Sequence, residues 1–148
     1  NKAEIFTKIL YDAYGKINSV YESVEVADRD YLGAIRGFFE NYIAVYYSEF
    51  YYFRTIEVFS KSEGDFLVPE DLKVFINESK AMWSEKLESI ITEGILFRQI
   101  KSVNVKALSL FIQSIINAII ERNNSELASG GPDIDTMVDE AIKLIKKD

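Results

Sequence analysis

At 148 residues, with 48% hydrophobic and 28% charged side chains, the chain has the composition of one globular domain that buries a core without metal or disulfide support. It contains neither cysteine nor histidine, which removes thiol chemistry, imidazole metal sites, histidine-based triads and di-metal bundles built on Glu-x-x-His. Its net charge of −7, with the 17 basic residues dispersed, excludes a clustered cationic footprint for nucleic acid on this stretch of chain.

Helical periodicity runs almost throughout. Asn1 is a good N-cap residue with Glu4 three positions on, and the spacing predicts a first helix from about Lys2 to Ser23. Its apolar face is Ile5, Ile9, Ala13, Ile17, Val20 and Val24, and Gly15 within it costs about 1 kcal/mol against alanine. Asp28 or Asp30 caps a second helix whose apolar positions are Leu32, Ile35, Phe39, Tyr42, Ile43 and Tyr46. Ser48 is placed as the cap of a short third helix through Phe50, Phe53, Arg54 and Glu57, followed by an exposed loop over 60–65.

Pro69 suits a first-turn helix position, and Glu70 and Asp71 follow it at the positive end of the dipole. Leu72, Ile76, Ser79, Trp83, Leu87, Ile90 and Gly94 then recur close to the 3.6 period, with Gly94 as the expected stop and 95–101 as a connection. Asn104 caps a fifth helix, from Val105 to about Leu127, that is apolar nearly all round. Ser129-Gly130-Gly131-Pro132 breaks the chain before a last helix carrying Ile134, Met137, Val138, Ala141, Ile142 and Ile145 on one side. Lys143, Lys146 and Lys147 there complement the negative end of the helix dipole. The expected fold is all-α: one domain of about six helices.

The longest apolar stretch, Leu108–Ile120, is interrupted by polar side chains and too short to span a bilayer, so no membrane association is expected. No phosphate-binding glycine loop, nucleophile elbow or calcium loop occurs, and the paired carboxylates sit where capping explains them. An enzyme is not expected, nor a cofactor.

Three features could carry function. The fifth helix must be covered on more than one side, either as a central core helix or by a second copy of the chain. Tyr42, Tyr46, Tyr47, Phe50, Tyr51, Tyr52 and Phe53 put seven aromatics within twelve residues, more than one helix face can hold. Some fill a core, others line a wet rim or a cavity, and Arg54 and Glu57 beside them either anchor a ligand or pair with each other. Trp83, the single tryptophan, is a core filler or a cavity wall.

Asn1-Lys2-Ala3-Glu4-Ile5-Phe6 resembles the segment that begins the regulatory domain of TetR-type transcriptional repressors, and the downstream order of helices is similar in layout. The resemblance implies a TetR-type ligand-binding and dimerisation domain over 1–148, without the helix-turn-helix domain that precedes it in the family. It further implies a cytoplasmic homodimer whose last two helices form a four-helix interface, mapping to Ile112, Ile115, Ile119, Met137, Val138, Ala141 and Ile142. A cavity for a small hydrophobic or aromatic effector would lie between the first, second, fourth and fifth helices, with Tyr14, Phe38, Tyr42, Phe53, Trp83, Leu87 and Phe111 as wall candidates. The short third helix would act as a lever. Effector would favour a dimer geometry in which the recognition helices of the absent domain no longer match major grooves about 34–36 Å apart, and operator DNA is released. The alternative is a helical interaction or structural bundle with no small-molecule site.

Overall fold

The computed structural model describes residues 2–61, 68–125 and 131–148. Within them the chain forms six helices: α1 (Lys2–Glu22), α2 (Tyr31–Ser48), α3 (Phe50–Lys61), α4 (Glu70–Leu96), α5 (Val105–Asn124) and α6 (Ile134–Ile145). α2 touches all five others and buries Tyr31, Ala34, Ile35, Phe38, Phe39, Tyr42, Ile43 and Tyr46. Those positions recur at three and four, the spacing that stacks side chains along one broad stripe. α1 packs on α3 and α4, and α4 on α5.

Side-chain caps set three of the helix starts. The Asp30 carboxylate accepts from Gly33 N at 2.8 Å, Asn104 Oδ1 from Ala107 N at 2.9 Å, and Asp133 Oδ1 from Thr136 N at 2.8 Å. Pro69 occupies the N-cap position of α4. Ser48 does not cap α3. It is the last residue of α2 and its hydroxyl donates back to Val45 O, so Glu49 alone makes the corner. The α1 face is also rotated from the expected one: Leu10, Ala13, Tyr14, Ile17, Val20 and Tyr21 are buried, and Ile5 stands 62% exposed. Tyrosines 14 and 21 take core positions that a search for aliphatic periodicity passes over. Of the expected loop over 60–65, Ser60 and Lys61 belong to α3 and the rest lies outside the described residues; α5 ends at Asn124 with Ser125 as its extended C-cap, short of the expected end near Leu127, which itself lies outside the described residues.

α4 runs past Gly94. Its end is made by Arg98, at φ 59°, which lets Gln99 N and Ile100 N both donate to Gly94 O at 2.9 and 3.1 Å. Gly94 is required for contact: a Cβ there would lie 2.4 Å from Ile100 Cδ1. Gln99 then fastens three segments. Its amide donates to Arg29 O at 2.6 Å and accepts from Tyr31 N at 2.8 Å, holding the turn in which Asp28 and Arg29 adopt φ of 53° and 57°. Its carbonyl accepts from Lys147 N at 2.9 Å, tying the segment after α6 to the α4–α5 connection.

Candidate functional site

Tyr14, Asn18 and Tyr21 recur at i, i+4 and i+7 on α1, one above another on a single face. Trp83 of α4 enters between the two tyrosines. Its ring is parallel to both, at 5.9 Å and 9° from Tyr14 and 5.4 Å and 10° from Tyr21. The indole N–H donates to Asn18 Oδ1 at 2.7 Å, and Asn18 Nδ2 donates to the buried Ser79 Oγ at 2.9 Å, one turn before Trp83. An indole nitrogen only donates, so the amide orientation of Asn18 follows from its partner.

From Tyr21 the rings continue inward. Phe38 lies at 4.8 Å from Tyr21, Tyr42 at 5.9 Å from Phe38, Phe53 at 5.5 Å from Tyr42, and Tyr46 at 5.2 Å from Phe53, mostly tilted or edge-on. Such pairs add about 0.5–1.5 kcal/mol each beyond burial. The file therefore runs from α1 and α4 through α2 to α3.

Its far end is polar. Tyr46 Oη donates to Glu57 Oε1 at 3.2 Å and accepts from Asn124 Nδ2 at 3.3 Å. Tyr47 Oη donates to Asn124 Oδ1 at 2.9 Å and accepts from Asn123 Nδ2 at 2.6 Å, while Arg54 pairs with Glu57 at 2.9 Å. This network joins the C-terminal ends of α2 and α5 to α3.

Burial, then the Glu57 carboxylate, pushes the Tyr46 phenol up to about 12. Tyr42 is raised by burial and then by Glu57, and Tyr21 by burial and then by Tyr42. A raised phenol favours the neutral form in the folded state, so its stabilisation is complete below the ordinary value near 10 and is lost as pH rises through the folded value. Stability is therefore expected to hold to about pH 10 and fall between about 10 and 12. Absorbance at the phenolate band should show these tyrosines ionising together with loss of helix. Ionisation of all nine tyrosines near pH 10 with helix intact would contradict this.

Of the wall candidates, Tyr14, Phe38, Tyr42, Phe53 and Leu87 are buried and Trp83 partly so; all but Leu87 belong to the aromatic file. Phe111 does not join them. It is 49% exposed because the inward face of α5 is Leu108, Ser109, Ile112, Ile116, Ile119 and Ile120, and one residue step rotates a side chain by about 100°. Asn18, Tyr21 and Ser79 were missed, though the Tyr14–Tyr21 heptad spacing carried a signal.

The interface candidates divide in the same way. Ile112, Ile119, Val138, Ala141 and Ile142 are buried in the chain's own core, and Ile115 and Met137 are half-buried. The side of α5 turned to solvent carries Ala107, Leu110 (61% exposed), Phe111, Ser114 and Ala118 at i, i+3, i+4, i+7 and i+11, and Leu144 on α6 is 61% exposed. A cleft of about 150 Å³ opens between the C-terminal end of α5 and the start of α6, lined by Ile119, Arg122, Asn123, Asp133 and Met137 among others. Among the described residues no group of acidic side chains is placed to hold a metal, and no helix is long and apolar enough to cross a membrane.

Among the described residues, six helices gathered on a central α2 make an all-helical domain with a TetR-like fold. The chain is similar in structure to the TetR family transcriptional regulator PfmR from Thermus thermophilus, with a TM-score of 0.74 and 20% identity over 97% of this chain and 74% of that one. That likeness defines the fold. No family model matches the sequence, and no curated protein matches it.

Proposed function

We propose that residues 1–148 form the effector-sensing and dimerisation domain of a ligand-responsive transcriptional repressor, whose DNA-reading helix-turn-helix domain is joined ahead of Asn1. The observation that carries this reading is the fold, shared along 97% of the chain with a transcriptional regulator. The aromatic file supports it, because effector sites are mostly apolar and aromatic with a few placed polar groups, here Asn18, Ser79 and the tyrosine hydroxyls. The exposed stripe on α5 supports self-association, since apolar and small side chains at helical spacing suit a helix from a second copy. Ile5, exposed near the start of α1, offers an apolar contact to a domain joined there. Effector bound between α1, α2 and α4 would bias the dimer geometry through α1, and operator affinity would follow.

A thermal-shift screen of neutral aromatic and hydrophobic compounds tests the sensing part. A binder is expected to raise the melting temperature by about 3–6 °C at ten times its dissociation constant. In the longer chain bearing the DNA-binding domain, it is expected to change retention of operator DNA. A chain that stays monomeric at high concentration and responds to no compound would be a plain structural bundle.

A further inference from the structure

The Trp83 indole is held by two stacked phenol rings and one hydrogen bond, the kinds of contact that also hold aromatic ligands. Tyr14 and Tyr21 stand two helical turns apart, about 10.5 Å of axial rise, and the indole lies parallel to both in offset stacks, its centroid 5.9 and 5.4 Å from theirs. Asn18 sits midway and presents its carbonyl oxygen to the ring edge, held in that orientation by the donation of its NH2 to Ser79. The three side chains that stack on or hydrogen-bond the indole are two phenols and an amide, groups that are neutral at pH 7, so these contacts select flatness and one N–H donor. Trp83 itself is only partly buried and packs against both hydrophobic clusters, the large central one and the smaller one of Leu10, Tyr14, Phe59, Leu72 and Ile76. Its departure would therefore release two regions of the core at once, including the start of the file that runs to α3.

We propose that the Tyr14–Asn18–Tyr21 slot is the recognition site for a neutral planar heterocycle bearing a ring N–H, and that the Trp83 indole fills it until such a ligand takes its place. This rests on reading the α1–α4 aromatic region as the effector site. A ligand in the slot repeats the two stacking contacts and the hydrogen bond to Asn18. The displaced indole leaves the gap between α1 and α4, and Tyr21 passes the change to Phe38, Tyr42 and α3. A compound without the N–H would leave the Asn18 oxygen unpaired, a penalty large enough for tenfold or greater discrimination.

The test uses indole and 1-methylindole on this chain. In a Trp83→Ala variant, indole is expected to raise the melting temperature by about 3–6 °C at ten times its dissociation constant, with 1-methylindole at least tenfold weaker. Adding Asn18→Leu should erase that preference. In the parent chain the single tryptophan is replaced by 5-fluorotryptophan, whose one fluorine resonance should move to a solvent-exposed shift as indole is added. Equal binding of the two indoles to the variant overturns the proposal. So does a fluorine resonance that stays put at indole concentrations that saturate the variant. If Trp83→Ala does not fold, the fluorine titration of the parent decides alone. Displacement without any change in dimerisation or operator binding would sink the regulator reading and leave the slot standing. Effector-controlled operator binding with an unmoved resonance would do the reverse.

Discussion

Glutamate at both Leu110 and Phe111 is expected to leave the chain folded and to abolish the self-association proposed for the exposed stripe of α5. Both side chains face solvent from α5, at 61% and 49% exposure, so neither supports the chain's own core. In a symmetric pairing each would be buried twice, in a stripe that Ala107, Ser114 and Ala118 keep shallow enough for two helices to approach closely. Central apolar interface positions are worth about 2 kcal/mol or more, and each is lost in both copies, so the pair should weaken association by well over a thousandfold. The added carboxylates also meet their own copies across the axis in a protein already at −7. Sedimentation velocity should show a dimer for the parent and a monomer for the variant, with unchanged helix content. Ile112→Glu, one position along, should instead unfold the chain, because Ile112 is fully buried and its carboxylate would have no partner. Identical sedimentation of parent and double variant would place the interface elsewhere or remove it.

Two glycines should respond in opposite directions. At Gly37, on the exposed side of α2, a Cβ meets nothing within 4 Å, so Gly37→Ala should stabilise by about 1 kcal/mol through helix propensity. At Gly94 the added atom would lie 2.4 and 2.9 Å from Ile100 Cδ1 and Cγ1 and 3.2 Å from Tyr31 Cβ. Ile100 is fully buried and its backbone is held by Gly94 O and the bridge to Lys146, which leaves it little room to move. Gly94→Val is therefore expected to cost about 3 kcal/mol, the upper range for overpacking, and to lower the melting temperature by about 6–12 °C. Thermal unfolding followed by circular dichroism reads both. A Gly94→Val chain as stable as the parent would mean that α4 does not lie against the 99–101 segment and α2 as described.

The helices were legible because each announces itself within a few residues. Asp30, Asn104 and Asp133 cap in place, and the stripes of α2, α4 and α6 recur near 3.6. Gly94 misled because glycine commonly ends helices; here it sits inside one, where the approach of Ile100 demands the missing side chain. Ser48 misled because a hydroxyl beside an aromatic run suits a cap and a C-terminal back-bond equally well. Tyr14, Tyr42, Phe53 and Trp83, singled out in the sequence, do lie in one aromatic file. Ser79 stood on the periodic stripe of α4, but its pairing with Asn18 gave no sign, since that exists only once α1 and α4 lie side by side, sixty-odd positions apart in the chain.

Sequence alone therefore determined the class of structure and its chemical limits: helical, acidic, without histidine or cysteine, with a fifth helix apolar on two sides. Those follow from composition and from periods of a few residues, which local physics reads directly. Only tertiary packing decided which side of α5 is core and which faces solvent, because Ile112 and Phe111 are equally apolar and differ only in direction. It also decided that the Trp83 indole lies between two tyrosines on one part-buried amide, an arrangement set by how two distant helices meet.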